Sequence, residues 1–366
     1  MLVGGAGTRL RPLTLTAPKQ VLPIVEVPMI ERVLACLAPH GVDEVVLSMG
    51  YLPDAFVDLF PDGKSGHVRL TYAVEPEPLD TAGAVGFAAR SAGIDERFLV
   101  VNGDILTDLD VTAMVAFHER RGAAATISLA HVDDPSAFGL VPVDDEGRVI
   151  AFLEKPAPGA VPPALAQASA RGHLINAGTY VLEPSVLDRI PEGRRISIER
   201  EVFPTLAAAG SLYGFDSPDY WTDTGTPRQY LDAQLDLVTG RRPGPPAPGA
   251  RLTANGVWTI GAATVPEGVR GPAVIGEGAV VAEGACVEGS VVGGGSRIDA
   301  GAQVQDSVLL PGAHVGEGAV VRRSIVGRGA TVGRGAEVTN LSVLGDGYAV
   351  GAGARLDGAR LPETPE

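Results

Sequence analysis

The sequence predicts an α/β chain in two parts, a doubly wound domain with a mixed, mainly parallel sheet followed by a parallel β-helix. Three observations predict it. Residues 1–238 alternate short apolar strands with helix-spaced segments, residues 239–252 form a Pro/Gly-rich run, and residues 253–366 repeat an aliphatic residue at intervals of six. The 366 residues suffice for two cores, and 45% hydrophobic with 20% charged content is ordinary for a folded chain. Only 5% are aromatic against 48 glycines, so part of the chain must pack without large rings.

The first part opens with Met1-Leu2-Val3 ahead of a glycine-rich turn. Helical spacing follows at Met29, Val33, Leu34 and Leu37, then the apolar run Val45-Val46-Leu47. A helix near 54–60, a strand at 68–74, a helix near 82–90 and the strand Phe98–Val101 continue the alternation. Strands near 125–131, 139–143 and 175–183 extend the sheet and mix its directions. Ligands of such sheets bind beyond the carboxyl ends of the strands, so the residues just after strands carry most information. Thr239 to Gly249 is too rich in Pro and Gly for a helix or a central strand and marks a boundary. Beyond it, apolar residues recur at 275, 281, 287, 298, 304, 315, 321, 326, 332, 338, 344, 350 and 356. Five-residue slips fall where a Ser-Val or Ser-Ile pair intervenes. This hexapeptide period is that of stacked β-helix coils with glycine at tight corners.

Charge and cysteine usage narrow the function classes. A formal charge of −15 disfavours nucleic acid and anionic membranes as partners. No run approaches the ~20 apolar residues of a membrane span. Cys36 and Cys286 are far apart, so a disulfide framework is not expected and a cytoplasmic protein is. An acidic protein that handles phosphates must gather cations at its site. Of 29 basic residues only Lys19, Lys64 and Lys155 are lysines. Lys64 sits in a polar turn, whereas Lys19 and Lys155 fall in motifs where a compact ammonium suits a phosphate.

The first motif is Gly4-Gly5-Ala6-Gly7-Thr8-Arg9-Leu10-Arg11-Pro12, then Pro18-Lys19. Glycines directly after a strand let backbone N–H groups close around a phosphate, and Arg9, Arg11 and Lys19 supply charge. A Walker A loop would need Gly-Lys-[Ser/Thr], and a dinucleotide fingerprint a glycine where Leu10 stands. The second motif, Asn102-Gly103-Asp104, puts a carboxylate at a strand end, suited to Mg²⁺. Asp108 and Asp110 read as a helix cap and a solvated face. The third, Phe152-Leu153-Glu154-Lys155-Pro156 with Asn176-Ala177-Gly178, offers a phosphate ligand and two hydroxyl ligands. The fourth, Trp221-Thr222-Asp223-Thr224-Gly225-Thr226-Pro227, offers a second metal carboxylate before a helix starting at Pro227, with Trp221 as packing.

Together with Pro78-Leu79-Asp80-Thr81-Ala82-Gly83, these motifs resemble the sugar-1-phosphate nucleotidyltransferases, nearest to the mannose-1-phosphate guanylyltransferase type with a left-handed β-helix. The resemblance covers essentially the whole chain. It implies a Rossmann-like nucleotidyltransferase domain that joins an NTP to a sugar-1-phosphate and releases pyrophosphate, with Mg²⁺ as cofactor. It further implies that Gly4, Gly5, Gly7, Thr8 and Arg9 hold the nucleotide phosphates, Lys19 the reacting centre, and Asp104 with Asp223 the metal. Gly139, Glu154, Lys155 and Asn176 would hold the sugar phosphate, and Gly83 would approach the base. GTP with mannose-1-phosphate is the favoured pair. ATP or dTTP with glucose-1-phosphate, and GTP with a heptose or cyclitol phosphate, stay open, as does a homo-oligomer.

Two departures and two rival readings complete the expectations. The family usually has Gly at the position of Asp80, so a carboxylate could rim the base pocket. A first strand of Met1 to Val3 is short against the ~5–6 residues of a typical strand, which predicts a start further upstream. A non-catalytic paralogue that senses nucleotide sugar is disfavoured because Arg9, Lys19, Asp104, Lys155 and Asp223 are all present. An acyltransferase β-helix would rest on His314, the one histidine of the repeat.

Overall fold

A computed structural model describes residues 1–157, 161–162, 165 and 172–363. The chain falls into two compact units, residues 1–5 with 33–221, and residues 6–32 with 222–366. The first glycine-rich motif and the Trp221-Thr222-Asp223 motif are each divided between them.

The strands that organise the first unit are β1 (Glu44–Met49), β2 (Val68–Val74), β3 (Phe98–Val101), β4 (Ala125–Val132), β5 (Gly139–Leu140), β6 (Leu153–Glu154), β7 (His173–Leu182) and β8 (Leu212–Asp216). β1 and β2 are parallel, as are β4 and β8, whereas β7 runs antiparallel to β3, β4 and β5. The sheet is thus mixed. β4 is buried over its first six residues, Thr126 and Ser128 included, as a strand covered on both faces must be. Leu2 bridges Ser48 of β1 on one side and Asn102, just after β3, on the other, both in parallel. Beside it lies a cavity of about 520 Å³, lined by Leu2, Val45, Val46, Leu99 and Val100 among others. The Met1 amino group donates to Val46 O at 2.8 Å, and burial holds its pKa down to about 5.

The helices are α1 (Met29–Leu37), α2 (Asp54–Leu59), α3 (Asp80–Ser91), α4 (Val111–Arg121), α5 (Phe203–Ala208) and α6 (Pro227–Thr239). None of the described helices is long and apolar enough to cross a membrane. The expected periodicities land on α1, α2 and α3. In α3 the buried side consists of Ala82, Gly83, Ala84, Val85, Gly86, Ala88 and Ala89, so the helix can approach its neighbours closely. Asp110 caps α4 by accepting from Ala113 N at 2.9 Å, as its position predicts.

The second unit contains α6 and the β-helix. Thr226 caps α6, Pro227 fills its first position, and Gly240 ends it at φ +78°. The Pro/Gly-rich run then passes Arg32, whose guanidinium donates to Ile24 O and to Pro246 O, each at 2.6 Å. The coils stack in parallel with successive partners Val292, Leu309, Val326, Leu344 and Leu361 on one face. Their interior is a continuous column of Ala, Val, Ile and Leu. The Ser-Val and Ser-Ile pairs that shorten the repeat mark one corner. There Ser290, Ser307 and Ser324 are fully buried, and each hydroxyl accepts the next coil's amide or donates within its own turn. His314 lies elsewhere on the coil surface, with Nε2 2.8 Å from Asp299 Oδ2.

Candidate active site

The site residues fall in two groups, one in each unit. In the first unit the group is built on the strand ends of β3, β6 and β7. Asn102 N donates to Gly178 O at 2.9 Å, and Gly103 N donates to Leu2 O at 3.0 Å, which fixes the turn carrying Asp104. Gly178 has φ +79°, and a Cβ there would stand 2.7 Å from Asn102 Nδ2, so glycine is required on both counts. The pairing of β7 with β4 slips between Asn176 and Tyr180. Such an irregularity re-aims side chains beside functional sites. Asn176 uses both ends of its amide, accepting from Gly178 N and donating to the Tyr180 hydroxyl, each at 3.0 Å.

Gly139 on β5 pairs with Glu154 on β6. A Cβ on Gly139 would come 2.8 Å from Phe152 Cζ and 3.1 Å from Glu154 Oε2. Lys155 follows with φ +44°, its N–H bonded to Phe138 O at 3.0 Å and its Nζ 3.2 Å from Glu154 Oε1. Glu154 is 18% exposed and Lys155 58%, so the ammonium reaches into solvent while the carboxylate stays at the wall. Trp221 closes this side, its indole N–H donating to Ala177 O at 2.9 Å and its ring edge-on to Phe138. It packs, as expected.

Electrostatics ties these residues together. Tyr180 is buried, and burial pushes its phenol well above the usual range. The charges of Glu199, Glu154 and Asp104 push the same way, against the Asn176 hydrogen bond. Negative charge therefore surrounds this wall, and a phosphate placed here would need Lys155 and a metal ion to offset it.

The Asp80-Thr81-Ala82-Gly83 segment opens α3. Gly83 is buried, and a Cβ on it would stand 2.7 Å from Arg194 O. Thr81 Oγ1 donates to Glu199 Oε2 at 2.6 Å and accepts from Ile198 N at 2.8 Å. Asp80 has φ +60°, the left-handed region in which glycine is at ease and Asp is among the better tolerated alternatives. Its carboxylate turns onto Thr81 N at 2.8 Å and lies 3.9 Å from the Arg195 guanidinium. Glu75 is a residue the motifs did not single out. It accepts from Ser48 Oγ and Leu79 N, each at 3.1 Å, and its Oε1 would be 3.3 Å from a Cβ on Gly4. Its place just beyond the carboxyl end of β2 was the available signal.

In the second unit, Gly7 turns at φ +59° and its carbonyl accepts from Thr14 Oγ1 at 2.8 Å. A Cβ on Gly7 would meet Thr14 Cγ2 at 3.1 Å and Lys19 Cβ at 3.3 Å, so the glycine lets the Lys19 turn fold close. Thr8–Leu10 and Lys19–Val21 form single turns of tight helix that present Arg9 and Lys19. Asp223 Oδ1 accepts from Gly225 N at 2.7 Å. A Cβ on Gly225 would meet Arg9 Nη2 at 2.6 Å and Asp223 Oδ1 at 2.9 Å, so Arg9 and Asp223 share that glycine's open side. Among the described residues no group of three carboxylate, imidazole or thiol side chains could hold an ion unaided. Single carboxylates fit a hard cation that keeps water and phosphate oxygens in its shell.

Comparison with known proteins agrees with this chemistry. The family model described as Nucleotidyl transferase matches residues 1–240, and that described as GMPPB C-terminal domain matches residues 269–363. A mannose-1-phosphate guanylyltransferase of Mycobacterium tuberculosis is 41% identical over 80% of this chain and 78% of its own length. Mannose-1-phosphate guanylyltransferase 1 of Arabidopsis thaliana is 38% identical over 80% and 78% respectively. The crystal structure of HddC from Yersinia pseudotuberculosis covers 64% of this chain and 96% of its own, with TM-score 0.53 and 27% identity. On sequence and on fold alike, the chain belongs to the nucleotidyl transferase family, and a β-helix of the GMPPB C-terminal type follows its nucleotidyltransferase part.

Proposed function

We propose that this enzyme joins GTP to mannose-1-phosphate, forming GDP-mannose and pyrophosphate. One observation carries the reading: Asp104, Glu154, Lys155 and Asn176 line one acid-rimmed wall beside Tyr180, with a solvent-reaching ammonium where a phosphorylated sugar needs one. The relatives of 38–41% identity that bear the guanylyltransferase name supply the choice of base and sugar.

In this reading a sugar-phosphate oxygen attacks the α-phosphorus of the nucleotide as the bond to pyrophosphate breaks. A phosphate monoester has its second pKa near ~6, so the nucleophile is ionised at neutral pH without a general base. Gly4, Gly5, Gly7 and Thr8 present N–H groups to the nucleotide phosphates, Arg9 neutralises them, and Lys19 offsets charge at the reacting centre. Gly83 lines the approach to the base through its backbone. Asp104 and Asp223 would hold Mg²⁺, which when bound adds positive charge at the phosphate oxygens. Glu154 and Asn176 orient hydroxyls, and Gly139 leaves room for them. The catalytic domain is taken as 1–238, the linker as 239–252 and the β-helix as 253–366. The enzyme is placed in the cytoplasm as a homo-oligomer, without nucleic-acid or membrane partners.

Pyrophosphate release with Mg²⁺, measured across four NTPs and several sugar-1-phosphates, tests the pair. The expected result is turnover highest with GTP and mannose-1-phosphate. Turnover confined to another pair would overturn the substrate assignment and keep the reaction.

A further inference from the structure

We propose that the β-helix is a splint for the nucleotide-binding segment, with Asp346 and Arg328 as positioning residues for Lys19; the inference rests on the role given to Lys19 above. Both partners belong to one compact unit. Asp346 divides its carboxylate between two donors: Oδ1 accepts from Arg328 N at 2.9 Å and Oδ2 accepts from Thr16 Oγ1 at 3.0 Å. Arg328 Nη2 reaches Val21 O at 3.4 Å. Lys19 lies between these two tethered residues. Further along, Gly294 N donates to Glu26 Oε1 at 2.8 Å, and Arg360 Nη1 donates to Arg9 O at 3.3 Å. A Cβ on Gly345 would come 3.1 Å from Pro12 Cβ, so the coil and the loop are in tight contact there.

The placement is systematic. Val292, Leu309, Val326 and Leu344 are in-register partners on successive coils. Gly294, Arg328 and Asp346 each lie two residues beyond one of them, so they occupy the same corner of their coils. The segment runs against that corner in reverse order, with Glu26 at Gly294, Val21 at Arg328 and Thr16 at Asp346, and Arg9 continues the order at Arg360 on the strand of the next coil. Tyr230 on α6 anchors the same segment, its hydroxyl donating to Pro23 O at 2.5 Å. A phosphate-binding loop with few contacts of its own would lose affinity to disorder, and these tethers remove that loss before the nucleotide arrives.

The test uses the full-length protein. Asp346→Ala is expected to raise the KM for the NTP about tenfold, with the sugar-phosphate KM and the melting temperature unchanged, the effect of one or two lost hydrogen bonds. Asp346→Asn can still accept from Arg328 N and donate to Thr16, and is expected to restore wild-type values. Thr16→Val should reproduce the loss from the loop side and add nothing in the double variant. Equal losses for both substrates that track a lowered melting temperature would overturn the proposal. Hydrogen exchange provides a readout that needs no substrate: the amides of Leu10, Arg11, Val21 and Leu22 should exchange about tenfold faster in Asp346→Ala. Unchanged exchange overturns the splint, whatever the substrate. Faster exchange in a protein whose wild type is inert to GTP and mannose-1-phosphate supports the splint and overturns only the substrate reading.

Discussion

Lys19 and Gly139 are instructive at the scale of single residues because one acts by charge and the other by absence of a side chain. Replacing Lys19 by Ala is expected to lower kcat by about 10² or more, the cost of removing one transition-state donor. Lys19→Arg should not recover it, because a planar fork cannot take the place of a compact ammonium in a turn folded this close to Gly7. Steady-state pyrophosphate release checks both variants. Gly139→Ala would force a methyl to within 2.8 Å of Phe152 Cζ and 3.1 Å of Glu154 Oε2. Displacing Glu154 is expected to raise the KM for the sugar phosphate several-fold, on the order of 1 kcal/mol, and to leave the NTP KM unchanged. Residue types carried much of this site into the sequence: scarce lysines, a carboxylate at a strand end, glycines beside charged groups. Glu199 was not legible, because its hydrogen bond to Thr81 comes together only in the fold, and Glu75 was marked by nothing more than its place after β2. The posture of Asp80 was likewise hidden, since no motif states a backbone φ.

Among the elements, the serine corner of the β-helix has the clearest energetic content. Each serine there is buried, and Ser307 accepts from Ser324 N at 3.2 Å while donating to Gln305 O. Ser307→Ala leaves that amide and carbonyl each one hydrogen bond short, with an expected loss of about 1–3 kcal/mol in denaturant unfolding of the protein. The five-residue slips were visible in the sequence, but their reason was not: a shortened repeat places a hydroxyl where the coil needs one. Helix α4 offers a second element-scale consequence. His118 faces inward, 2.8 Å from Thr126 Oγ1 and 3.0 Å from Glu183 Oε1. Burial holds its imidazole pKa below the ordinary value, with the Glu183 hydrogen bond opposing. The unfolded chain therefore takes up a proton that the fold resists, and stability falls as pH drops through about 6.5 toward the folded value. Urea midpoints between neutral pH and pH 5 should fall less in His118→Gln than in the wild type. Periodic helices and strands were legible from Met29 to Val101 and again near 125–131, whereas α4 between them was announced only by its cap. The π-helical turn at Ile198–Val202 was not, because no simple apolar period announces it.

For the whole molecule, the linear order of domains and the compact units differ in a way that matters for truncation. Residues 6–32 belong with the β-helix and α6, and Arg32, Tyr230 and Gln234 all bind their backbone. A chain ending at residue 252 is expected to lose nucleotide binding altogether, seen as loss of thermal stabilisation by GTP with Mg²⁺. The Pro/Gly run at 239–252 lies inside the second compact unit. That the chain would return an early segment to the β-helix was not legible, since its tethers are backbone groups, the Thr16 hydroxyl and the Glu26 carboxylate, none with a sequence signature.

The corner contacts also turn the β-helix into a gauge. Successive coils stand ~4.8 Å apart, the spacing of neighbouring strands. The Arg9–Glu26 segment is measured off against that spacing at four points. One extra coil inserted between Gly294 and Asp346 would carry every later mark out of hydrogen-bond reach of its partner. A coil added beyond Leu361 would disturb none. Tail length is therefore free to drift at the far end of the solenoid and fixed along the graduated stretch. Relatives that keep this segment should keep the same number of coils beneath it, however long their tails grow.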